Sequence, residues 1–181
     1  MQELNADAYA STGLLPSDST DTAILLQVIS SESLNDFVDG LNASDQQWLQ
    51  RQSFTGKAGQ VAWLENGQGV IGSTGADSLS TLGHLPYLLP EGVYRLTDDA
   101  SFIALLGWGL GSYRFDRYKQ ADRQPAQLIL PDSADAAELV NTVAASNLAR
   151  DLINTPAQDM APSHLQAEVE ALAETFDAEI N

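Results

Sequence analysis

Short apolar runs alternate along this chain with longer segments whose apolar residues recur at helical spacing. Alternation of this kind is typical of α/β proteins, because a sheet that carries helices needs strands and helices in turn. The strand-like runs are short and rich in Val, Ile, Leu and Ala. The sequence therefore predicts an α/β fold with a mixed sheet and helices on both faces.

The predicted strands are bounded by turn-forming residues. An Asn66-Gly67 pair separates two of them and predicts a tight hairpin. Pro125 and Pro131 enclose the last one. In chain order the strands are TAILLQVIS, QVAWLENG, QGVIGST, EGVYRLTD and PAQLILP, whereas residues 1 to about 19 are predicted to be a frayed terminus.

Three helical segments lie in the first half of the chain. SESLNDFVDGL has Leu34, Phe37, Val38 and Leu41 on one face, with Ser31 or Ser33 as its N-cap. SDQQWLQRQSF has Ser44 as its expected N-cap, with Trp48, Leu49 and Gln52 near its inner edge. ADSLSTLGHLPYLLP predicts a helical turn or two, stopped at Pro86 and Pro90.

Three longer helical segments follow. DDASFIALLGWGLGSYRFDRY starts with Asp98 and Asp99, where acidic groups suit the helix dipole. A long helix runs from Ala134 to about Ile153, and another starts near Pro162 with Ser163 and Gln166 as a capping box. The predicted apolar faces are Phe102, Leu105, Leu106 and Leu110; Leu139, Val140, Val143, Ala144, Leu148 and Leu152; and Leu165, Val169, Leu172 and Phe176.

The last residues, FDAEIN, begin to alternate like a strand. An unfinished strand after a new helix predicts a truncated second unit. We therefore expect the break between Ile153 and Pro162 to mark a domain boundary.

The charge balance excludes several classes of partner. The chain has 25 acidic and 8 basic residues, a net charge of -17, and such a surface repels phosphate backbones, so nucleic acid is not an expected partner. No secretory signal or apolar run long enough to span a bilayer is present, and cysteine is absent. These features predict a soluble protein in the cytoplasm that does not bind membranes.

Several motifs invite a ligand-binding interpretation, and each has a structural alternative. Gly107, Gly109 and Gly111 resemble a phosphate loop, but they interrupt an apolar helix, which favours close packing of that helix against the sheet. The Gly-Lys pair in FTGKAGQ lacks the rest of a Walker loop. His84 and His164 are the only histidines and do not form a metal-binding pattern.

A basic cluster follows the glycines. Arg114, Arg117, Lys119 and Arg123 make up half of the basic residues. We interpret them as a helix end at which cations offset the dipole and pair with neighbouring acids. An inter-subunit contact is the main alternative. The residues alone therefore predict no catalytic, cofactor-binding or metal-binding side chain in this chain.

A set of ordered segments resembles the leucyl (cytosol) aminopeptidase family. The strongest is NLARDLINTPAQDMAPSHLQAEVEALAETFDAEI, with Ala149-Arg150-Asp151-Leu152, Asn154-Thr155-Pro156, Asp159-Met160 and Pro162 as its matching features. LGWGLGSYRFDRYK, SFTGKAGQVAWLENG and LGHLPYLLPEGVYRL precede it in the order that family members carry them. The resemblance covers about Ser53 to Ile180 and is less clear over the first fifty residues.

This resemblance implies an exopeptidase that uses two divalent cations, zinc or manganese, to activate water and hold the substrate's amino group. The family's metal-binding and catalytic motifs lie downstream of the strand that begins at Asp177, so no such residue is carried over, and Asp98, Asp99 and Asp159 are not substitutes. Residues 1–133 would form a macro-like N-terminal α/β domain, 134–156 a connecting helix and linker, and 157–181 the start of the catalytic domain.

The resemblance also implies peptide substrates and a homohexamer assembled through the catalytic domain. Two further functions remain open for these residues. They could bind a small nucleotide-type ligand, as macro-type folds do, or they could serve only to gate the catalytic entrance or to set assembly.

Overall fold

The computed structural model describes residues 6–119 and 121–180. A short 3-10 turn at Ala6–Tyr9 precedes one six-stranded sheet. The strands are β1 (Leu14–Leu15), β2 (Ile24–Ser30), β3 (Val61–Trp63), β4 (Gly69–Ser73), β5 (Val93–Leu96) and β6 (Gln127–Ile129). The helices are α1 (Leu34–Asp39), α2 (Ala43–Arg51), α3 (Ser80–Gly83), α4 (Leu85–Leu88), α5 (Phe102–Gly111), α6 (Ala136–Asn154) and α7 (Pro162–Phe176).

The sheet is mixed, as predicted. Its strand order is β1-β6-β5-β2-β4-β3, and every neighbouring pair is parallel except β3 and β4. Those two strands form the predicted Asn66-Gly67 hairpin, in which Trp63 lies opposite Gly69. Gly67 has a φ of 85°, a conformation that glycine adopts without the steric penalty of a side chain. All five strand-like runs of the sequence are strands.

Two hydrophobic cores lie on opposite faces of the sheet. Successive residues of β4 show the division, because Val70 belongs to one core and Ile71 to the other. Helices α1 and α2 pack on the side of Val70, with Leu49 buried there. Helices α3 to α6 contribute to the larger core on the side of Ile71. The predicted arrangement of helices on both faces is therefore confirmed.

The prediction of a frayed N-terminus is wrong for the residues that the structure describes; residues 1–5 lie outside them. Leu14 is fully buried, and β1 pairs in parallel with β6. The indole Nε1 of Trp108 donates a hydrogen bond to the carbonyl oxygen of Gly13 at 3.0 Å. Two strand residues are too few to give a periodic signal, so the polar composition around them dominated the sequence pattern.

The predicted N-cap of α2 is also wrong, whereas Ser33, one of the two predicted caps of α1, is at its N-cap position. Helix α2 is capped by Asn42, whose side chain accepts a hydrogen bond from the Asp45 amide, and not by Ser44. Ser33 occupies the N-cap position of α1, but its hydroxyl makes no cap hydrogen bond and instead accepts from the Ser30 amide. Trp48 is largely exposed, whereas its neighbour Leu49 is buried.

Helix α5 is shorter than predicted and buries a different face. It begins after Ser101, whose hydroxyl caps the Ala104 amide, and it ends at Gly111 instead of continuing to Tyr118. Gly107 and Gly109 let neighbouring helices approach α5 closely, on a face that the spacing of its large apolar residues did not indicate. The buried residues are Ala104, Leu105, Gly107, Trp108 and Gly109, whereas Phe102, Leu106 and Leu110 are only partly buried.

Pro86 does not stop a helix as predicted. It lies in the first turn of α4, where its missing amide hydrogen leaves no hydrogen bond unmade. Helix α6 agrees with its predicted range to within two residues, but Ala144 is exposed and Asn147 is buried on its inner face.

The C-terminal region differs most from expectation. Helix α7 starts at Pro162 as predicted, but its N-cap is Ala161, and His164 Nδ1 accepts the Ala161 amide in place of the predicted Ser163 and Gln166 box. Residues 178–180 form neither helix nor strand. A strand needs a partner for its backbone groups, and none of the described strands lies beside this segment.

No helix formed by the described residues combines the length and the apolar composition needed to cross a membrane.

Candidate functional site

The sheet has a topological switch point between β2 and β5. These neighbouring parallel strands lie at its centre, and the chain leaves β2 toward β4 on one side and β5 toward β6 on the other. In open α/β sheets, ligands bind in the crevice outside the carboxyl ends of such strands. The loops that follow β2, β4 and β5 therefore enclose the position at which a ligand site is expected.

A cavity of about 350 Å³ lies at this crevice. Its apolar floor includes Leu26 and Val28 of β2 and Leu96 of β5. The loops after β4 and β5 supply its polar rim, and Ala104 of α5 closes one side. The volume suits a small organic molecule.

Three carboxylates on the rim set the charge of this cavity. They belong to Asp77, Asp98 and Asp99, and the described lining contains no Lys, Arg or His. Gln27 Nε2 donates to Asp98 at 2.5 Å, and the hydroxyl of Ser101 donates to Asp77. A negative rim repels phosphate groups, so this crevice is poorly suited to a nucleotide.

The described residues do not form a metal centre. No group of three or more His, Asp or Glu side chains among residues 6–119 and 121–180 is placed to hold an ion. Asp98 and Asp99 lie on the rim of the crevice, whereas Asp159 lies in the linker before α7. These positions do not fit a two-metal site, so no metal-dependent step is assigned to them.

The three glycines of α5 are explained by packing between helices. A Cβ atom on Gly107 would lie 2.1 Å from the Leu79 carbonyl oxygen, and one on Gly111 would lie 2.0 Å from that of Gly83. A Cβ on Gly109 would meet a methyl group of Val143 at 2.4 Å. The close packing that we expected is therefore present. Its tightest contacts are with α3 and α6, whereas Leu14 of β1 would lie 3.4 Å from a Cβ on Gly109.

The Gly-Lys loop around Lys57 is closed by one side chain. The Gln60 Oε1 atom accepts hydrogen bonds from the amides of Thr55 and Lys57 and from the Thr55 hydroxyl. A Cβ on Gly72 would lie 2.0 Å from the Lys57 carbonyl oxygen, so the loop packs directly on β4. The amides of Thr55 and Lys57 are thus directed to Gln60 and are not free to hold a phosphate.

The two histidines lie on separate elements. His84 joins α3 to α4, and its Nδ1 atom lies 3.0 Å from the Ser80 carbonyl oxygen, while its buried Nε2 atom has no hydrogen-bond partner among the described residues. His164 caps α7 through Ala161. Both act in local helix structure.

The basic cluster also acts mainly at helix ends. Arg123 donates to the carbonyl oxygens of Tyr87 and Leu89 at the end of α4 and stacks over the Tyr87 ring. Arg117 donates to the Thr155 hydroxyl just after α6. Direct contacts thus support the interpretation of Arg117 and Arg123 as helix-end groups, although they contact the ends of α4 and α6 and not the end of α5.

Tyrosines of the same segment contact the last turn of α6 and the linker that follows it. The Tyr113 hydroxyl donates to Asp151 at 2.8 Å and accepts from the Asn154 side chain at 3.0 Å. The Tyr118 hydroxyl donates to Asp159 at 2.5 Å, and this hydrogen bond is the main reason that the pKa of Tyr118 is raised. The Gly-and-aromatic segment and the NTPAQDM segment are therefore in contact.

Sequence reasoning did not find this contact. The hydrogen-bonding groups lie about forty residues apart in the chain, and tyrosine, aspartate and asparagine at the surface have no periodic signature. The sequence signal that the two segments share is that both resemble segments of the aminopeptidase family.

Helix α7 is the last helix of the described residues, and it is the longest one without a buried residue. None of its residues is buried. Its predicted apolar face is present, but Leu165, Val169, Leu172 and Phe176 remain between 44% and 68% exposed.

Comparisons with known proteins agree with these observations. The family model described as the M17 aminopeptidase N-terminal domain matches residues 24–131. A comparison with curated protein sequences gives no match.

Solved structures with the same fold include two aminopeptidases and a maturation enzyme. The cytosol aminopeptidase from Coxiella burnetii is 31% identical with a TM-score of 0.83, and the match covers 93% of this chain and 39% of that chain. A mutant of tomato leucine aminopeptidase is 18% identical with a TM-score of 0.60, covering 91% of this chain and 42% of that one. The bottromycin maturation enzyme BotP is 22% identical with a TM-score of 0.61, covering 87% and 38%.

This chain thus spans less than half the length of the solved structures that it matches. The family model covers more than half of its residues. The chain belongs to the M17 aminopeptidase family, and it carries the N-terminal domain of that family.

Proposed function

We propose that this chain is the non-catalytic N-terminal portion of a metal-dependent leucyl aminopeptidase, which removes N-terminal amino acids from peptides. The observation that supports the proposal is the coverage of the Coxiella burnetii cytosol aminopeptidase, since nearly all of this chain matches less than half of that one. The chemistry would then belong to residues outside this sequence.

The division of the chain follows from the same proposal. Residues 1–133 would be the supporting α/β domain, 134–156 the connecting helix and linker, and 157–181 the start of the catalytic domain. The first half of α6 packs in the larger core through Leu139, Val140 and Val143, whereas α7 buries nothing. An apolar face without partners fits a helix whose neighbours belong to the catalytic domain.

The proposed cofactors are two divalent ions, zinc or manganese. BotP, which shares the fold, has been solved in complex with Mn. When bound, two such ions would activate a water molecule and hold the substrate's amino group. We propose that this chain's own contribution is to position the linker through Tyr113 and Tyr118, and that the whole protein is a cytoplasmic homohexamer.

Activity measurements test the proposal. The full-length protein should hydrolyse leucyl-p-nitroanilide when Mn²⁺ or Zn²⁺ is supplied and should lose that activity in EDTA. The 181-residue chain, prepared in parallel, should give only the rate of a mock purification. Hydrolysis by the 181-residue chain that survives repeated purification would contradict the assignment of the site to other residues.

For residues 1–133 we propose that the domain gates the catalytic entrance or sets assembly. Deletion of residues 1–133 from the full-length protein should change either its oligomeric state or its preference for peptide length. Light scattering and a series of peptides from two to ten residues would measure both. An unchanged hexamer with unchanged length preference would argue against this role.

The crevice at the switch point supports a second candidate, a small-ligand binding function. The carboxylates of Asp77, Asp98 and Asp99 disfavour the nucleotides first considered and restrict this candidate to ligands without phosphate. Calorimetry with adenosine and with ADP-ribose would distinguish a preference for ligands without phosphate from a preference for ligands that carry it. Binding of ADP-ribose tighter than adenosine would contradict the role given to the carboxylates.

A further inference from the structure

The turn between β3 and β4 carries an asparagine that is followed directly by glycine. It consists of Glu65, Asn66 and Gly67, and all three residues are exposed. The Gly67 amide donates to the Leu64 carbonyl oxygen at 3.0 Å, and the Leu64 amide donates to the Gln68 carbonyl oxygen at 2.9 Å. Backbone hydrogen bonds therefore shape this turn, while the Asn66 side chain lies at the surface.

An asparagine in this position can lose its side-chain amide in a reaction with its own backbone. The Gly67 nitrogen gives its proton to a base in solution and attacks the Asn66 Cγ atom. A bond forms between these two atoms and closes a succinimide ring, while the bond from Cγ to Nδ2 breaks and Nδ2 leaves as ammonia. The reaction is favoured because the two reacting atoms belong to adjacent residues and are held close together.

The surroundings of Gly67 leave its nitrogen accessible. A Cβ atom at Gly67 would meet no atom within 4 Å apart from its chain neighbours, so the space around this residue is open to solvent. Glycine also lacks the side chain that would crowd its nitrogen during the attack. Water and a base can therefore reach the reacting atoms without any movement of the domain core.

The Gln68 amide is placed to assist the attack. It donates a hydrogen bond to the Asn66 Oδ1 atom at 2.9 Å. Negative charge develops on this oxygen when the Gly67 nitrogen adds to Cγ, and a donor already directed at such an oxygen lowers the barrier. The attack must break the hydrogen bond between the Gly67 amide and the Leu64 carbonyl oxygen, but hydrogen bonds at an exposed turn open at little cost.

The other asparagines that the structure describes belong to helices or to a helix cap. They are Asn35 of α1, Asn42 at the N-cap of α2, and Asn141, Asn147 and Asn154 of α6. Each of them is followed by a residue with a side chain. Within the helices, hydrogen bonds between successive turns also limit the backbone rotation that the attack needs. Asn66 is therefore the described asparagine best placed to react.

The turn is bonded to the start of α2 through a buried carboxylate. The Glu65 amide donates to Asp45 Oδ1 at 2.9 Å, and the Ser44 hydroxyl donates to the Glu65 carboxylate at 2.5 Å. Asp45 is 6% exposed and also accepts the Asn42 side-chain amide at 2.7 Å. A carboxylate created at position 66 would adjoin Glu65, so it would add negative charge to a turn that already contacts two carboxylates.

We propose that Asn66 is a site of spontaneous deamidation, which converts it into aspartate and isoaspartate and weakens the contact between this turn and α2. Water is the co-reactant. Its attack on Cγ of the succinimide gives aspartate, whereas its attack on the backbone carbonyl carbon of residue 66 gives isoaspartate. In isoaspartate the chain continues through Cγ and is one atom longer, which disturbs the hydrogen bonds of the turn. Overall, one water molecule is consumed and one ammonia is released.

This inference goes beyond the proposed function and does not depend on it. Deamidation is measured on the 181-residue chain, whereas peptidase activity is measured on the full-length protein. Either idea can therefore fail alone.

Peptide mapping by mass spectrometry tests the modification. The folded 181-residue chain is kept for several weeks at mildly alkaline pH in water enriched in heavy oxygen, and a second sample is kept in urea. In the folded sample, Asn66 should deamidate at least about tenfold faster than any other described asparagine. Its product should contain heavy oxygen and separate into aspartyl and isoaspartyl forms. An Asn66 that stays intact in the folded chain, whether or not it reacts in urea, would overturn the proposal.

Two variants test the route through the succinimide. Asn66→Gln keeps the side-chain amide but moves it one methylene further away, so that attack would have to form a larger ring. It should deamidate at position 66 at least about tenfold more slowly than the parent chain. Asn35→Gln, at an exposed position of α1, is the matched control and should leave the rate at Asn66 unchanged. Equal rates at position 66 in Asn66→Gln and the parent would contradict the ring-closing step.

Hydrogen exchange tests the effect on α2. Anion exchange separates the deamidated chain from the parent by its additional charge. In the deamidated chain the Glu65 amide, which donates to Asp45, should exchange at least about tenfold faster than in the parent. Asn141→Asp, which places the same charge at an exposed position of α6, is the control and should exchange at Glu65 as the parent does. Unchanged exchange at Glu65 after deamidation would overturn the proposed effect on α2.

Discussion

Helices α5 and α7 make opposite use of their apolar residues. Helix α5 buries five of its ten residues and approaches α3 so closely that glycine is required at Gly107 and Gly111. Helix α7 has fifteen residues and a regular apolar face, yet it buries none of them. The helix with the more regular pattern is thus the one that buries no residue.

The difference shows what an amphipathic pattern means. The pattern on α7 identifies the face that would be covered, but it does not show that the covering surface belongs to the same stretch of chain. On α5 the contacts depend on backbone approach through glycines, which leaves little trace in the spacing of large side chains. Packing should therefore dominate the response of α5 to mutation and be nearly absent from that of α7.

The largest effect is expected from a matched pair of leucine truncations. Leu105 on α5 is 1% exposed and Leu172 on α7 is 44% exposed. Leu105→Ala should lower the free energy of unfolding by about 2–5 kcal/mol because it leaves a cavity, whereas Leu172→Ala should change it by less than about 0.5 kcal/mol. Urea denaturation of the 181-residue chain measures both, and similar losses would show that the face of α7 is packed after all.

Glycine substitutions on α5 sharpen the same contrast. Gly107→Ala would press a methyl group against the Leu79 carbonyl, which is backbone, whereas Gly109→Ala would press one against a methyl group of the Val143 side chain. We expect a loss of about 3 kcal/mol for the first and about 1 kcal/mol for the second. Equal losses in urea denaturation would mean that the α3–α5 backbone contact is not rigid.

Alkaline pH should lower the free energy of unfolding through a tyrosine in the core next to α5. Burial raises the pKa of Tyr94, whose ring lies 6.4 Å from that of Trp108, while Arg123 lowers it less. The folded state therefore keeps the phenol proton to higher pH than the unfolded chain, so stability is complete below a pH of about 10 and falls as the pH rises through the folded pKa.

Tyr94→Phe should flatten this alkaline decline in the free energy of unfolding, measured by urea denaturation from pH 8 to 11. Helix α7 contains no tyrosine and provides no comparable response. An unchanged slope in the variant would show that other groups cause the decline.

The smallest effect on global stability is expected at the linker. Tyr118→Phe removes the hydrogen bond to Asp159 but no buried surface. The urea midpoint should stay the same, while proteolytic cleavage between α6 and α7 should become faster, because this tether holds the linker in place. Asp159→Ala should accelerate cleavage similarly, and unchanged cleavage in both variants would contradict the tethering role.

Several elements could be predicted from the sequence because their signals are local. The Asn66-Gly67 pair gave the β3–β4 hairpin, and the five strand-like runs are all strands. Pro162 correctly placed the start of α7. In each case a few adjacent residues determine the backbone geometry.

Some errors arose where distant contacts determine the outcome. Leu14 and Leu15 form a strand only because β6 lies beside them, and residues 178–180 form none because no described strand does. The Asn147 side chain donates to the carbonyl oxygen of Ser11, more than one hundred positions away, and no local pattern indicates such a contact. The error at the start of α2 was local, because Ser and Asn both cap helices well and the sequence did not distinguish Ser44 from Asn42.

The pairing of β1 with β6 has a consequence for how the chain folds. Leu14 pairs with Leu128. Strand β1 can therefore join the sheet only after more than one hundred further residues have been synthesised. Closure of so long a loop is entropically expensive and slow. On the ribosome, β2, β4 and β5 can associate before β6 is synthesised, so that β1 would be among the last strands to become native.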